Sequence, residues 1–113
     1  MDHKNLRKTK GTYVAVEPGV CGFNCTVGAR KSVDGRINIT INDSDCELVR
    51  EMSKQFQELT LKDLFSSVLK NPVFEWAARA RCHAPCLVPL AILKASEVEL
   101  GMALPRKAGL EFK

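Results

Sequence analysis

Thiol and imidazole side chains are the groups in this chain best suited to chemistry, because both can ligate metals and take part in nucleophilic catalysis. Five cysteines and one of the two histidines lie beyond the basic N-terminal stretch. These six residues are Cys21, Cys25, Cys46, Cys82, His83 and Cys86. The two Cys-x3-Cys spacings are less specific than the paired Cys-x2-Cys of zinc knuckles. The chemistry therefore depends on whether the six residues meet in space.

A predicted β-hairpin brings two of these cysteines to the same end of a sheet. Cys21 lies 13 residues before Asp34 and Cys46 lies 11 residues after Gly35, the pair at which the chain is expected to turn. Residues 82–86 precede the last predicted helix, whose N-terminal amides would favour thiolate over thiol. We therefore predict that the thiols gather into one site at this end of the sheet.

Such a site has enough ligands for a metal. Three thiolates and an imidazole complete the tetrahedral coordination of Zn²⁺, and similar ligands hold iron–sulfur clusters. Five sulfurs exceed four coordination places, so at least one cysteine is a spectator. Cys25 lies in the apolar phase of its strand and is predicted to pack in the core. Ligand type alone does not distinguish zinc from an iron–sulfur cluster, and both stay open.

The local patterns predict an α+β fold. Residues 12–16 read as a short strand, and residues 23–33 and 37–41 alternate apolar with polar side chains, as half-buried strands do. Asp34-Gly35 between them is a dipeptide typical of a type I′ turn. We expect a hairpin or meander of two to four antiparallel strands, followed by three to four helices packed on one face.

Helical periodicity and capping residues predict where the helices lie. The first begins at Ser44, whose spacing to Glu47 fits a capping box, and its apolar stripe extends to Leu59. The remaining predictions are a helix over 60–69 capped by Thr60 and Asp63, a helix over 72–81, a final helix from 85 or 89 to 100 with Gly101 as its C-cap, and an edge strand over 109–112.

Composition and charge limit the classes of partner. The 113 residues are 45% apolar and 27% charged, and no apolar run reaches the roughly 18–20 residues that span a bilayer. Residues 1–10 supply +3 of the net charge of +4 and are predicted to form a disordered basic arm before a single domain over 11–113. With one Tyr, one Trp and no aromatic–basic stripe, nucleic-acid binding is not expected. No signal-peptide core follows the arm, so we predict a cytoplasmic protein with reduced thiols and no membrane association.

Three segments carry a family resemblance. Residues 16–23 read VEPGVCGF, residues 44–46 read SDC, and residues 83–95 read HAPCLVPLAILKA, continuing as EVELGMALP over 97–105. In these segments the chain resembles a small uncharacterised prokaryotic family typical of anaerobes. The resemblance implies that the recurring polar positions are Cys21, Cys46, His83 and Cys86, with Cys25 and Cys82 peculiar to this chain.

The order of these residues is also similar to that of the U-type iron–sulfur cluster assembly scaffolds. A Cys-Gly opens a hairpin, a second cysteine follows a strand and begins a helix, and a histidine and a cysteine start a late helix. The resemblance implies that Cys21, Cys46 and Cys86 correspond to the three scaffold cysteines, with His83 near the scaffold histidine. It also implies a site for Zn²⁺ or a nascent cluster.

The chain departs from the scaffold pattern at three points. Phe23 stands where the scaffolds have an aspartate, and the second cysteine lies in the acidic triplet Asp45-Cys46-Glu47 where they have Gly and Ser. Ala84 and Pro85 separate a histidine and a cysteine that are adjacent in the scaffolds.

We favour a scaffold-like or carrier-like protein, not an enzyme, that binds metal or a cluster through Cys21, Cys46, His83 and Cys86. Its partners would be a cluster-donor or acceptor protein, and it could form a homodimer. A first alternative is a thiol enzyme with Cys46 or Cys86 as nucleophile and His83 as base. A second is an interaction module that presents the helix over 88–100 to a partner or a second copy, although its apolar residues are better explained as part of the core.

Overall fold

A three-stranded antiparallel sheet forms the centre of the computed structural model, which describes residues 11–113. Its strands are β1 (Thr12–Val16), β2 (Cys25–Lys31) and β3 (Ile37–Asn42), in the order β1-β2-β3. Helices follow, so the α+β prediction is confirmed. The basic arm predicted over residues 1–10 lies outside the described residues.

The predicted hairpin is confirmed, with a different turn. Gly35 has a φ of 88°, but among the described residues the non-glycine positions at positive φ are Asp43 and Arg81. Asp34 therefore lacks the positive φ that a type I′ turn requires. Instead the Ser32 N–H donates to the Arg36 carbonyl at 2.8 Å, and the loop closes over three residues with glycine in the left-handed position.

The apolar phase of the hairpin faces the core. On β2, Cys25, Val27 and Ala29 are buried, and they are joined by Ile37 and Ile39 of β3. Phe23 and Val33 continue the alternating pattern beyond the ends of the strands, but both are exposed and do not join the core. The sheet therefore has one buried face, as the pattern predicted.

Within the described residues the helical elements are α1 (Glu47–Ser53), α2 (Leu61–Leu64), a 3₁₀ turn (Val68–Lys70), α3 (Pro72–Arg79) and α4 (Leu87–Glu99). Asn71 caps α3 by accepting a hydrogen bond from the Val73 N–H at 3.0 Å. Pro89 falls in the first turn of α4, where its missing N–H costs little.

The helix predicted over 60–69 is wrong in length. Its capping box is present, since Thr60 Oγ1 accepts from the Asp63 N–H at 3.2 Å and Asp63 Oδ2 accepts from the Thr60 N–H at 2.9 Å. The helix ends after one turn at Leu64, and Phe65 and Val68 are exposed. Without a buried face, the apolar spacing does not sustain a longer helix.

The first helix is also shorter than predicted. Ser44 accepts a hydrogen bond from the Cys46 N–H at 3.2 Å, but the N-cap residue of α1 is Cys46 itself. The helix ends at Ser53, and Leu59 instead forms a two-bond bridge to Ile37 at 2.8 and 2.9 Å. Leu59 is buried, and pairing with Ile37 supplies hydrogen-bond partners for its backbone N–H and C=O groups. This pairing overrides the helical spacing.

Helix α4 covers the sheet and supplies much of the core. Its residues Val88, Ile92 and Ala95 are buried, so the helix that could have faced a partner is a core element. Gly101 at φ 77° ends it, as predicted. No strand forms over 109–112, whose side chains are exposed.

None of the helices in the part of the chain that the structure describes is long and apolar enough to cross a membrane.

Candidate functional site

The direction of α4 determines which end of the sheet its N-terminus reaches. In its last turn, Glu99 accepts hydrogen bonds from the Lys31 N–H and from Thr12 Oγ1, each at 2.9 Å. Helix α4 is about 20 Å long from Glu99 back to Cys86, and strand β2 is about 20 Å long from Lys31 back to Cys25. The N-terminus of α4 therefore reaches the Cys25 end of the sheet.

Cys46 reaches the same end from β3. The last residue of that strand, Asn42, pairs with Thr26, the neighbour of Cys25 in β2. The chain then turns through Asp43, a non-glycine residue at φ 61°, and Cys46 becomes the extended N-cap of α1. The predicted arrival of Cys46 at this end agrees with the observed strand pairing.

The C-terminus of α3 determines the position of Cys82. The Cys82 N–H donates to the Ala77 carbonyl at 2.9 Å and the Arg81 N–H to the Ala78 carbonyl at 3.0 Å, the bonds of a Schellman motif. Arg81 occupies the left-handed position at φ 62°, where glycine is usual. The Cys82 thiol then points to the Leu48 carbonyl of α1, with a sulfur–oxygen distance of 3.8 Å.

Two of the predicted ligands lie in exposed turns. Cys21 is in a turn closed by the Gly22 N–H donating to the Gly19 carbonyl at 2.9 Å, and its side chain is exposed. His83 begins a turn closed by the Cys86 N–H at 2.9 Å and is exposed as well. We call Cys21 and His83 the outer ligands.

The other four cysteines are shielded from solvent. Cys25 is buried, and the remaining three are half-buried. All four are free thiols, as is Cys21. We call these four the inner thiols: Cys25, Cys46, Cys82 and Cys86.

Burial and the charges of neighbouring thiolates raise the pKa values of Cys25, Cys82 and Cys86. For Cys25, burial raises the pKa most, and the charges of Cys86 and Cys46 raise it further. The same causes, with burial again the largest, raise the pKa of Cys82 to about 11. Charges interact strongly only within about 10 Å at physiological salt. The coupling therefore indicates that these thiols occupy one region of the molecule.

Cys86 is also less acidic than its place at a helix N-terminus predicts. Burial is the largest cause of its raised pKa, ahead of the Val88 backbone N–H, which lowers the pKa. The charges of Cys46 and Cys21 raise the pKa further. The expectation that the helix N-terminus would favour the Cys86 thiolate is therefore wrong for the metal-free protein.

The thiols do not form a finished coordination sphere. Across residues 11–113, no three His, Cys, Asp or Glu side chains are arranged to hold a metal ion. A metal ion would therefore require the thiol side chains to draw together. A bound cation would also reverse their repulsion, since metal coordination deprotonates a thiol.

Sequence reasoning placed Cys25 and Cys82 near this end of the sheet but assigned neither of them as a ligand. Cys25 does pack in the core as predicted, yet it faces the same end of the sheet as the other inner thiols. The structure adds that Cys25 opens β2 opposite the last residue of β1, Val16. The direction of the Cys82 thiol could not be predicted, since the Schellman motif before it contains arginine in place of glycine.

Comparison with known proteins identifies the family. Residues 12–112 match a family of unknown function, DUF6951. Neither the curated proteins nor the solved structures give a significant match. The match covers nearly all of the chain, so the protein belongs to the DUF6951 family of unknown function.

Proposed function

We propose that the protein binds a thiophilic metal ion, such as Zn²⁺, or an iron–sulfur cluster through cysteine thiolates at one end of the sheet. The observation that supports this most is the convergence of cysteines from separate segments, with Cys86 brought beside Cys25 by the alignment of α4 with β2. Free thiols in one region, whose thiolate charges would repel one another, are suited to a cation, because thiolate is the form that binds soft metals.

Cys46 and Cys86 are the two ligands that we place at the centre of this site. Each is a half-buried N-cap residue, and the charge of a Cys46 thiolate raises the pKa of Cys86. The sequence-based ligand set completes four coordination places with the outer ligands, Cys21 and His83, on neighbouring exposed turns. Exposed ligands suit a carrier that exchanges its ion with a donor or acceptor protein.

The raised pKa of Cys86 supports this function over a thiol enzyme that uses Cys86 as its nucleophile. A cysteine nucleophile requires a pKa lowered toward neutrality, whereas burial raises the pKa of Cys86. His83 is exposed and begins the turn before Cys86. Metal coordination does not need an acidic free thiol, since the metal displaces the proton itself.

The test is the metal content, acid-labile sulfide and visible spectrum of protein purified without oxygen. We expect one metal ion or one cluster per chain, and a loss of at least about 10-fold in affinity for Cys46→Ala or Cys86→Ala. Ser53→Ala, at the opposite end of α1 from Cys46, is the control and should bind normally. Folded wild-type protein that takes up neither zinc nor iron under reducing conditions would refute the proposal.

A further inference from the structure

We propose that the protein dimerises by exchanging a strand: residues 109–113 of each chain add to the outer edge of β1 in a second copy. Residues 102–113 follow α4, and we call them the trailing segment. Two features support the proposal, the edge of the sheet at β1 and the strand-like pattern of the trailing segment. The proposal is independent of metal binding, because it uses none of the thiols.

The trailing segment has the side-chain pattern of a strand, yet within the described chain it joins neither the sheet nor a helix. Leu110 and Phe112 are 85% and 102% exposed. Lys113 Nζ lies 3.1 Å from Glu111 Oε1, so these two charged side chains share one side of the segment. Alternation places the two apolar side chains on the other side. The family match extends through residue 112, so this apolar side belongs to the domain and calls for a partner.

Strand β1 is the edge of the described sheet, and its backbone groups alternate in direction. The bond from the Ser32 N–H to the Arg36 carbonyl shows that even-numbered residues along β2 direct their backbone groups toward β3. Odd-numbered residues direct theirs toward β1, as does the Lys31 N–H, which is bonded to the end of α4. Their partners in β1, such as Val14, therefore bond to β2. The N–H and C=O of Ala15 consequently point outward, to the position of a further strand.

The buried face of the sheet is also incomplete at this edge. Val14 is only half-buried, whereas its neighbour in β2, Val27, has no exposed surface. An added strand with its apolar side toward the core would cover Val14, and its charged side would lie beside polar residues such as Thr26 and Thr40. Strand β1 contains no charge and no proline, the features that commonly block such an addition.

Chain topology favours a second copy over the same chain as the acceptor. Glu99 is bonded to Thr12, so the trailing segment starts beside the first residue of β1 and would run parallel to its own β1. With β1 pointing upward and α4 in front, the Val14 side chain faces the viewer, which for L-residues places its backbone groups and β2 on the right. The outer edge is then on the left. A parallel connection to that edge would be left-handed, as in only about 2% of such connections.

Exchange around a two-fold axis avoids this topology. When the β1 strands of two copies lie antiparallel, each trailing segment runs antiparallel to the β1 of the partner, and the two added strands pair with each other. Three strands and one added strand from each chain then form a continuous antiparallel sheet of eight strands. Residues 102–108 reach up to about 23 Å, enough to cross the roughly 14 Å of one layer and two strand spacings.

Sedimentation velocity at micromolar concentrations tests the proposal, with a chelator and a reductant present so that neither metal ions nor disulfides join the chains. We expect a concentration-dependent dimer. Phe112→Asp should raise the Kd of dimerisation at least about 100-fold, because the dimer buries this ring twice. Val33→Asp changes another fully exposed apolar residue, in the hairpin loop, and is the matched control. It should dimerise within about twofold of wild type.

Ala15→Pro tests the acceptor edge. Proline is tolerated on an edge strand where the missing N–H would point outward, so the chain should keep its circular dichroism spectrum while the dimer weakens at least about 10-fold. A mixture of Ala15→Pro and Phe112→Asp chains tests the exchange itself. Their heterodimer retains one intact contact, the trailing segment of the first chain on β1 of the second. The mixture should therefore contain more dimer than either variant alone.

The outcomes decide the proposal without reference to metal binding. Wild-type protein that stays monomeric, or a dimer that Phe112→Asp weakens no more than Val33→Asp does, would overturn it. This comparison holds even if Ala15→Pro does not fold. With both variants folded, a mixture that contains no more dimer than the separate variants would show that the trailing segment is not exchanged between chains.

Discussion

Glu99 Oε2 accepts a hydrogen bond from the backbone N–H of Lys31 at 2.9 Å, across 68 residues of sequence. The other carboxylate oxygen accepts from Thr12 Oγ1 at the same distance. These two bonds join the end of α4 to the ends of β1 and β2 furthest from Cys25. The placement of Cys86 at the Cys25 end of the sheet follows from this contact and the matched lengths of helix and strand.

Replacing Glu99 should therefore weaken both the fold and the site. We expect Glu99→Ala to lower the free energy of unfolding by about 1–2 kcal/mol, since hydrogen bonds to charged groups contribute about this much. Urea denaturation measures the change. Glu97→Ala, on the same helix, is the control, and an equal loss in both variants would show that the two side-chain bonds of Glu99 are not responsible.

Substitution of Arg81 by glycine should stabilise the protein. Arg81 has a φ of 62° and occupies the left-handed position of the Schellman motif that ends α3. At the end of α4 the same position is occupied by Gly101, which has a φ of 77°. We expect Arg81→Gly to raise the free energy of unfolding by about 0.5–1 kcal/mol and Gly101→Ala to lower it by about 1 kcal/mol. Thermal unfolding would record both. A destabilised Arg81→Gly would mean that the arginine side chain contributes more than its backbone strain costs.

Gly28 should not tolerate a larger residue. A Cβ atom at this position would lie 2.7 Å from Thr40 Oγ1 and 2.8 Å from Tyr13 Cε1. We expect Gly28→Ala to destabilise the sheet by about 1–3 kcal/mol, the usual cost of overpacking. Gly109→Ala has open space around it and is the control. Equal stability of the two variants would show that Thr40 and Tyr13 move aside freely.

Alkaline pH should destabilise the metal-free protein. Folded Cys82 keeps its proton up to a pKa of about 11, compared with an ordinary value of 9.0. Between these values the unfolded chain holds fewer protons than the folded one, so stability falls as the pH rises. Urea denaturation from pH 8 upward under reducing conditions should show this decline, and Cys82→Ser should reduce its slope. A flat profile in the wild-type protein would contradict the raised pKa.

Zinc should stabilise the protein in a concentration-dependent way. If the ion binds only the folded state, a free concentration 100 times the Kd adds about 2.7 kcal/mol to the free energy of unfolding. We expect a rise in Tm for the wild-type protein and for Ser53→Ala, and none for Cys46→Ser, which lacks a central ligand. A similar rise in Cys46→Ser would indicate that Zn²⁺ binds elsewhere.

Local patterns were sufficient to predict the hairpin but not its turn. The alternation of apolar residues predicted which faces of β2 and β3 are buried, and Val27 and Ile37 have no exposed surface. Asp34-Gly35 predicted a type I′ turn, whereas the loop is one residue longer, with only Gly35 at positive φ. The dipeptide indicates where a chain reverses, but strand register decides how many residues the loop contains.

Helix lengths were predicted less well because they depend on contacts distant in sequence. Leu59 fits the helical spacing of α1, yet it bridges to Ile37, where its backbone groups gain partners from the sheet. Phe65 and Val68 fit the spacing of a longer α2, but no neighbouring element covers them. Spacing shows which residues share a face, and only packing determines whether that face is buried.

The sequence by itself determined that a hairpin returns Cys46 to the end of the sheet where β2 begins, and that Cys46 and Cys86 lie close to the starts of helices. Both results depend on residues close together in the chain, where periodicity and turn chemistry act directly. Only the tertiary structure decided that the Cys82 thiol points to the Leu48 carbonyl of α1 and that Cys21 and His83 are exposed. The physical reason is that these positions depend on the alignment of α4 with β2 and on the backbone bonds that end α3.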